Sequence, residues 1–250
     1  MAGSLDGKVV IVTGGARGIG RAYALGVANE GGRVVIADLL DGEPVVTEVA
    51  AAGSEAISIT TDVSDEASNE AMAAAAVERF GRIDVLINNA AMFSETTRGP
   101  FHEVSVAEWD KTFEVNVRGV WLACKAVYPQ MAKQGSGKII NVASNTVYKG
   151  TVGFPHYVAS KSALLGLSRS LATELGPDGI TVNTISPDLI PNPELRATDA
   201  VSDKFVVAGR AIKRTQVEED MVGTVLFFCS GGSDFITGQS LLVNGGAYYV

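Results

Sequence analysis

Residues Lys8–Gly20 read KVVIVTGGARGIG. The first half of this stretch, through Thr13, is short, apolar and rich in β-branched side chains, which is typical of a buried parallel strand. A glycine-rich turn follows, and apolar residues then recur at helical spacing over residues 18–30. The stretch therefore predicts a strand, a tight turn and a helix in immediate succession.

The same alternation continues along the chain. Further strands are predicted at 33–38, 56–60, 83–87, 138–142, 179–185 and 240–243, and further helices at 43–52, 65–80, 105–134, 155–175 and 218–229. This order predicts one α/β domain over residues 1–250, a doubly wound Rossmann-type fold. Its mostly parallel seven-stranded sheet carries helices on both faces. Residues 188–212 lack a clear pattern, and we expect them to form a substrate-binding loop or lid.

Composition excludes several classes of function. The 250 residues are 46% hydrophobic with a net charge of -8 and no Lys/Arg run, which argues against nucleic acid as a partner. The two cysteines, Cys124 and Cys229, lie among apolar residues, and His102 and His156 are the two histidines, so we expect no metal site. Residues 1–8 lack a signal core, and no apolar run reaches the roughly 18 residues of a membrane helix. A cytoplasmic protein is expected.

The turn after the first strand contains Gly14, Gly18 and Gly20. Glycines let a backbone turn sharply and approach a pyrophosphate closely. The N-terminus of the next helix offers free N–H groups and the positive end of its dipole. The spacing is G-x-x-x-G-x-G and differs from the G-x-G-x-x-G fingerprint, so the order of strand, turn and helix carries the argument. The turn is predicted to bind the phosphates of a dinucleotide.

Asp38 ends the second predicted strand and indicates which dinucleotide. A carboxylate there accepts hydrogen bonds from the adenosine ribose hydroxyls and repels a 2′-phosphate, which favours NAD over NADP. Arg17 argues the other way, because a guanidinium in the turn pairs with that phosphate. Leu39, and not a second arginine, follows Asp38, so we expect the carboxylate to decide for NAD.

Five motifs occur in order along the chain: Thr13–Gly20, Asp62-Val63, Asn88-Asn89-Ala90, Asn116, and Ser144 with the Y-x-x-x-K pair Tyr157 and Lys161. In this order they resemble the short-chain dehydrogenase/reductase family, of the compact single-domain type. The resemblance covers nearly the whole chain. It implies an oxidoreductase that uses a nicotinamide cofactor and acts on an alcohol or a ketone.

The resemblance also implies roles for particular residues. Asp62 and Val63 would hold the adenine ring, Asn116 would hold a water that relays a proton, and residues 235–246 would pack against a neighbouring subunit in a homotetramer. The expected catalytic residues are Asn116, Ser144, Tyr157 and Lys161. The expected cofactor-binding residues are Gly14, Arg17, Gly18, Ile19, Gly20, Asp38, Leu39, Asp62, Val63, Asn89, Ala90, Tyr157, Lys161, Pro187, Ile190 and Asn192.

Three positions depart from the family pattern. Ala91 replaces a glycine after Asn88-Asn89-Ala90, and Asp188 replaces the glycine that usually follows Pro187. Asn192 stands where the family often has a threonine that touches the nicotinamide carboxamide, and its amide still donates and accepts hydrogen bonds. Cofactor binding is therefore expected to survive. The Asp188 carboxylate is expected beside the nicotinamide, where it affects either substrate choice or the lid.

Tyr157 and Lys161 are four residues apart and share one face of the predicted helix. An isolated phenol has a pKa of about 10, which is too high for a base at neutral pH. A lysine ammonium about 4 Å away favours the phenolate by roughly 4 kcal/mol at an effective dielectric of 20. We therefore expect Tyr157 to be the general acid/base, Lys161 to lower its pKa, and Ser144 to orient the substrate oxygen.

Positions that line the substrate pocket in the family are Phe93, Val147, Tyr148, Phe154, His156 and Leu189. They are largely apolar or aromatic, which predicts a hydrophobic or aromatic alcohol or ketone as substrate. His156 directly precedes Tyr157 and is an alternative base, although lining the pocket is its expected role. Two other functions stay open: an NADP-dependent ketone reductase of the same fold, and a non-catalytic NAD-binding sensor or scaffold.

Overall fold

The computed structural model describes residues 3–93, 96–191 and 205–249. In this part of the chain, seven parallel strands form one sheet in the order β3-β2-β1-β4-β5-β6-β7. The strands are β1 Val9–Thr13, β2 Arg33–Asp38, β3 Ala56–Thr60, β4 Val85–Asn88, β5 Gly137–Val142, β6 Ile180–Pro187 and β7 Ser240–Val243. The prediction of a doubly wound parallel sheet is confirmed.

The helices are α1 Gly18–Asn29, α2 Glu43–Ala51, α3 Glu66–Phe80, α4 Val106–Phe113, α5 Gly119–Gln134, α6 Thr146–Lys149, α7 Pro155–Leu175 and α8 Glu219–Cys229. The helices numbered α1 to α8 lie within the predicted helical ranges, except for α6, which was not predicted. A further short helical segment covers residues 205–209. Among the described residues, no helix combines the length and apolar character needed to cross a membrane.

Both faces of the sheet are buried, and β1 shows why its sequence is apolar throughout. Val10 and Val12 pack into a core cluster with residues of α1, α2 and α8. Val9 and Ile11 pack into a second cluster with residues of α3, α5 and α7. Because successive side chains of a strand point to opposite faces, a strand covered on both sides must be apolar at every position.

The helix predicted over residues 105–134 is interrupted. Between α4 and α5, the five residues Glu114–Arg118 form a π-helical turn. Its central residue, Asn116, is fully buried and hydrogen-bonds to the backbone of Met92 and to Ser160 Oγ. A single π-helical turn within a helix is rare and is found frequently at functional sites. Here it accompanies an amide that holds the loop after β4 against α7.

A chain of buried polar side chains ties α7 to the sheet. Asn88 Nδ2 donates to Asn141 Oδ1 at 2.8 Å, and Asn141 Nδ2 donates to Ser168 Oγ at 2.8 Å. Thr184 Oγ1 also donates to Ser168 Oγ, at 2.9 Å. Paired polar groups of this kind specify one arrangement of a core, because each would be costly if left without a partner. The network fixes α7 on β4, β5 and β6.

Candidate active site

The turn after β1 requires glycine at two positions for different reasons. Gly14 has a φ of +64°, and a Cβ there would lie 2.9 Å from the Ala90 Cα. A Cβ on Gly20 would lie 2.0 Å from the Gly14 carbonyl oxygen. Any side chain at either position would therefore displace backbone. Because the turn is packed this closely, the N-terminus of α1 stays open to the cleft side of the sheet. We call residues 14–20, the turn and the start of α1, the cradle.

Thr13 and Asn89 clamp this turn to the end of β4. Thr13 Oγ1 accepts hydrogen bonds from the backbone N–H groups of Asn89 and Ala90, at 3.0 and 3.1 Å. The Asn89 amide donates to the carbonyl oxygens of Thr13 and Gly14, both at 3.0 Å. Asn89 thus uses its amide nitrogen to hold the cradle.

Asp38 closes one end of the cradle. Its carboxylate accepts hydrogen bonds from the backbone N–H groups of Ala16, at 2.9 Å, and Leu40, at 3.0 Å. These bonds place the carboxylate at the end of β2, beside the glycine turn. Leu39 is exposed next to it, and Arg17 is also exposed. Each carboxylate oxygen keeps a further lone pair for a ligand hydroxyl.

Asp62 lies past the end of β3, beside Val63. A hydrogen bond from the Ser64 hydroxyl, at 2.6 Å, is the main cause that lowers the pKa of Asp62, against the opposing effect of burial. The backbone N–H of Ser64 donates to the same carboxylate oxygen at 2.9 Å. The side chain is therefore an oriented anion at the edge of the sheet.

One cleft of about 930 Å³ runs along the carboxyl edge of the sheet and joins these features. Most of the sequence-predicted cofactor residues line it: Gly14, Arg17, Gly18, Ile19, Gly20, Asp38, Leu39, Asp62, Val63, Asn89, Ala90, Tyr157, Lys161, Pro187 and Ile190. Asn192 lies outside the described residues, as does the part of the predicted lid from 192 to 204. The described residues beyond it add Phe205, Val206 and Gly209 to the lining.

Ser144, Tyr157 and Lys161 line the same cleft. Ser144 follows β5 closely, and its Oγ accepts hydrogen bonds from the N–H and the hydroxyl of Thr146, at 3.2 and 3.0 Å. Tyr157 lies in the first turn of α7, and its ring stacks on Phe154 with centroids 4.6 Å apart. The phenol of Tyr157 and the hydroxyl-bearing Ser144 thus line one cleft.

Lys161 is almost completely buried, with 2% of its surface exposed. Its ammonium donates to the Val142 carbonyl oxygen at 2.8 Å and lies 5.9 Å from the centre of the Tyr157 ring. Burial lowers the pKa of Lys161 to about 8. The side chain therefore remains mostly cationic at neutral pH, in a setting where little water screens its charge.

Asn116 is placed differently from the rest of the predicted catalytic set. It does not line the cleft, since both ends of its amide bond to Met92 and Ser160 as described above. Ser160 lies between Tyr157 and Lys161 in sequence, and its hydroxyl donates to the Tyr157 carbonyl oxygen at 2.8 Å. Asn116 is thus connected to the first turn of α7 through one hydroxyl.

Three of the six residues named for the substrate pocket line this cleft. Phe93, Phe154 and Leu189 line the cleft, but the described lining does not include Val147, Tyr148 or His156. The short helix α6 turns Tyr148 toward β7, where its hydroxyl bonds to Ser240 Oγ at 2.7 Å. His156 is fully buried, with Nε2 3.2 Å from a Glu108 carboxylate oxygen.

The lining also contains polar residues that no motif singled out. Arg98, Lys149 and Thr151 lie at the catalytic end of the cleft. Arg98 and Thr151 belong to loops after β4 and β5, and Lys149 is the last residue of the short helix α6. Their place after two neighbouring strands is the only sequence signal that could have found them.

Asp188 lines the cleft, but its carboxylate is already engaged. It pairs with Arg210 Nε at 2.9 Å and accepts from Asn145 at 3.1 Å, with the Lys149 ammonium at 3.4 Å. Burial alone would raise the pKa of Asp188, but Lys149, Arg210 and Asn145 together hold it below its usual value. Of the two roles left open, this geometry favours holding the segment around Arg210 in place.

Comparison with known proteins places the chain in a family. A family model described as enoyl-(acyl carrier protein) reductase matches residues 14–248. The chain belongs to the short-chain dehydrogenase/reductase family. A crystal structure of a protein described as a short-chain alcohol dehydrogenase, from Sinorhizobium meliloti 1021, superposes with a TM-score of 0.91. It is 30% identical and the match covers 97% of each chain.

Two curated relatives extend the comparison. A "(2S)-[(R)-hydroxy(phenyl)methyl]succinyl-CoA dehydrogenase subunit BbsD" from Thauera aromatica is 35% identical over 97% of each chain. A "3-alpha-(or 20-beta)-hydroxysteroid dehydrogenase" from Mycobacterium tuberculosis is 39% identical over 98% of this chain and 91% of its own. As a short-chain dehydrogenase/reductase with such relatives, the chain is an oxidoreductase acting on CH–OH groups.

Proposed function

We propose that this short-chain dehydrogenase/reductase is NAD-dependent and interconverts a secondary alcohol and a ketone, or a primary alcohol and an aldehyde. The observation that carries the proposal is a single cleft that joins a site suited to a dinucleotide to a group of catalytic side chains. The glycine turn and Asp38 lie at one end, and Ser144, Tyr157 and Lys161 lie at the other. The glycine turn fits a pyrophosphate, because the absence of a Cβ on Gly20 lets the Gly14 backbone pack against the start of α1 and leaves the helix N-terminus facing the cleft.

The cofactor, when bound, accepts or supplies the hydride at the reacting carbon. The protein must position the substrate oxygen and move its proton. Tyr157 gives that proton in reduction and takes it in oxidation. The buried Lys161 ammonium stabilises the phenolate form of Tyr157. Ser144 Oγ accepts two hydrogen bonds from Thr146, so its own proton is available to donate to the substrate oxygen.

The remaining parts of the site support these steps. Asp62 and Val63 would hold the adenine ring, and Pro187 and Ile190 would face the nicotinamide half of the cofactor. Asn116 would act through Ser160 and a water on the proton path from Tyr157, which is consistent with its hydrogen bond to Ser160 Oγ at 3.1 Å. Phe93 and Phe154 favour an apolar or aromatic group beside the reacting carbon.

Mutation of Tyr157 tests the reaction. Tyr157→Phe keeps the ring against Phe154 but removes the proton, so turnover should fall at least about a hundredfold while NADH affinity stays within a few-fold. Tyr128→Phe is the matched control, because the Tyr128 hydroxyl bonds to Asp178 on the surface and does not line the cleft. Turnover would be followed as NADH formation over a panel of secondary and aromatic alcohols. Equal turnover of the two variants would remove Tyr157 from the mechanism.

Mutation of Asp38 tests the choice of cofactor. We expect NADH to bind at least about tenfold more tightly than NADPH, since a carboxylate facing a 2′-phosphate is a direct repulsion of like charges. Asp38→Ala should narrow this margin, and Asp41→Ala, which removes a nearby carboxylate outside the cleft lining, should not. Tighter binding of NADPH to the unmodified protein would instead favour the NADP-dependent reductase, with Arg17 as the phosphate partner. NADH binding without any turnover would favour the sensor or scaffold.

We also propose a homotetramer. Leu241, Phe235 and Tyr249, near the C-terminus, are exposed apolar side chains that a neighbouring subunit would cover. Light scattering coupled to size-exclusion chromatography would give the mass of the particle. A monomeric mass at micromolar concentration would contradict this part of the proposal.

A further inference from the structure

Charged side chains of both signs line the cleft, with Arg17 and Lys111 among those near Asp38 and Asp62. Asp38 and Asp62 line the end that would take the adenosine of a dinucleotide. Arg98 and Lys149 line the end that contains Tyr157. None of the proposed steps of hydride or proton transfer uses these two cations, so their presence calls for another explanation.

Arg98 has no carboxylate within ion-pair distance in the part of the chain that the structure describes. Its guanidinium carbon lies 5.0 Å from the centre of the Phe154 ring, which itself stacks on Tyr157. Cation–π contact of this kind orients a guanidinium but leaves its five N–H donors free. Arg98 is therefore a cation held one aromatic ring away from the phenol.

The backbone on both sides of Arg98 is fixed. The N–H and the hydroxyl of Thr97 both donate to the Glu108 carboxylate, at 2.6 to 2.9 Å. The N–H of Gly99 donates to the Gly153 carbonyl oxygen at 3.1 Å. The second bond joins the loop after β4 to the loop after β5. Arg98 is exposed, but the backbone that carries it is held on both sides.

Thr151, in the second of these loops, supplies an independent observation. Its Oγ1 is inaccessible to solvent and has no hydrogen-bond partner among the residues that the structure describes. Thr151 lines the same cleft. Buried hydroxyls without a partner are rare, because the lost hydrogen bond to water is not replaced. Rotation of the Thr151 side chain toward the cleft would let a ligand atom accept a hydrogen bond from this hydroxyl.

Lys149, two residues before Thr151, adds a positive charge to the cleft lining. Its ammonium lies 3.4 Å from Asp188, but that carboxylate is closer to Arg210, at 2.9 Å. One carboxylate therefore faces two cations, and the group as a whole keeps a positive charge. With Arg98, the catalytic end of the cleft has a cationic excess that no described side chain neutralises.

We propose that Arg98 and Thr151, together with Lys149, form a subsite for an oxyanion on the substrate, either a carboxylate or a phosphate ester. The guanidinium fork pairs with two oxygens of such a group, and the threonine hydroxyl donates to it. The inference rests on the proposed function only in treating the bound molecule as the substrate. That substrate is then an acidic hydroxy or oxo compound, with Phe154 packed beside the part that joins the acid to the reacting carbon.

Binding measurements test the subsite without requiring turnover. Phenylacetate, phenyl phosphate and the neutral phenylacetamide would be titrated calorimetrically into the protein, with and without NADH. At least one anion should bind about tenfold or more tightly than the amide, in line with a charge-assisted hydrogen bond. The better of the two anions identifies the group as a carboxylate or a phosphate ester.

Variants then assign the effect to residues. Arg98→Gln should abolish the preference for the anion, Arg98→Lys should keep part of it, and Thr151→Val should reduce it. Arg169→Gln is the matched control, because Arg169 is exposed on α7 outside the cleft lining and should retain the full preference.

Equal binding of acid and amide by the unmodified protein would overturn the subsite, as would an unchanged preference in Arg98→Gln. Failure of the proposed function would look different. NADH would then neither bind nor form, while the anion titrations without NADH would still report on Arg98.

Discussion

Replacing Asp188 by asparagine should destabilise the protein strongly, although the two side chains have almost the same shape. In the folded protein, the Asp188 carboxylate pairs with Arg210 Nε at 2.9 Å, and both side chains are only 2% exposed. The other guanidinium nitrogens of Arg210 donate to the carbonyl oxygens of Arg214 and Leu189. Arg210 therefore joins β6 to the segment before α8, and its charge is balanced inside the protein.

The size of the effect follows from what the substitution leaves behind. Removing one partner of a buried ion pair costs about 3–5 kcal/mol, because the other charge stays buried without compensation. Asparagine still offers an oxygen to Arg210, so we expect the loss of unfolding free energy to lie at the lower end of this range, about 3 kcal/mol. For a chain of this length, roughly 2–4 °C of Tm is lost per kcal/mol, which gives a fall of roughly 6–12 °C.

Thermal unfolding followed by circular dichroism would measure this change. Asp234→Asn is the control, because Asp234 pairs with Lys138 at 2.7 Å but is 71% exposed, and an exposed pair contributes less than about 1 kcal/mol. The folded protein holds the pKa of Asp188 below its usual value. The stabilisation is therefore present above the unfolded pKa of about 4 and is lost as the pH falls through the lower folded value.

The difference in Tm between the unmodified protein and Asp188→Asn should accordingly be constant near neutral pH and should shrink as the pH falls into the acid range. A Tm within 2 °C of the unmodified protein at pH 7 would refute the reasoning, on the scale of roughly 2–4 °C per kcal/mol. A difference that persists undiminished at a pH of about 2, well below the unfolded pKa, would refute it as well.

Two further predictions concern the cofactor cradle and the buried lysine. Gly20→Ala should weaken NADH binding at least about tenfold, because its Cβ would lie 2.0 Å from the Gly14 carbonyl oxygen. Gly166→Ala is the control: open space surrounds this position on α7, so the substitution should leave NADH binding unchanged and raise stability by up to about 1 kcal/mol. Equal NADH affinity of the two variants would contradict the proposed role of the glycine turn. Lys161→Met should abolish turnover yet match or exceed the unmodified protein in stability at pH 7, because burial disfavours the charged lysine by roughly 3 kcal/mol. That penalty is full below the folded pKa of about 8 and fades as the pH rises toward the unfolded value, so the stability gain of Lys161→Met should shrink over this range. If Lys161→Met instead lost more than about 1 kcal/mol of stability at pH 7, the ammonium would be net stabilising.

The fold could be predicted from the sequence because its signals are local. β1 is apolar at every position since it is buried on both faces, and the glycine turn that follows has a backbone requirement that no other residue meets. α7 begins at Pro155, which favours a helix start, so the phase of Tyr157 and Lys161 on its surface is set by nearby residues. Motifs with fixed spacing therefore found the cradle and the catalytic group.

The errors lie where the structure depends on distant partners. Asp188 could be recognised as unusual, but its partner Arg210 lies in a segment without a pattern, so its role could not be read from the sequence. Val147 and Tyr148 were assigned to the pocket by family position, and the orientation of α6 turns Tyr148 to Ser240 instead. Arg98 was missed because a cation–π contact with Phe154 requires two loops to meet in space.

The two ends of the cleft bind negative charge by different means, and this has a consequence for pH. At the glycine turn, backbone N–H groups and the dipole of α1 are present at any pH. At the catalytic end, the proposed oxyanion subsite uses Arg98, and an arginine guanidinium is not deprotonated in proteins. Lys161, in contrast, loses its charge above a pKa of about 8.

Raising the pH past this value should therefore disturb proton transfer at Tyr157 but leave the binding of the substrate anion intact. For ketone reduction, kcat should fall above pH 8 while KM for an acidic substrate stays within about twofold, if KM reports binding. In Arg98→Gln, KM for the acidic substrate should be raised at every pH, whereas kcat should show the same fall above pH 8 as in the unmodified protein. If KM rose together with the fall in kcat in the unmodified protein, Lys161 and Arg98 would not act separately. The assignment of proton transfer to Lys161 and of anion binding to Arg98 would then be wrong.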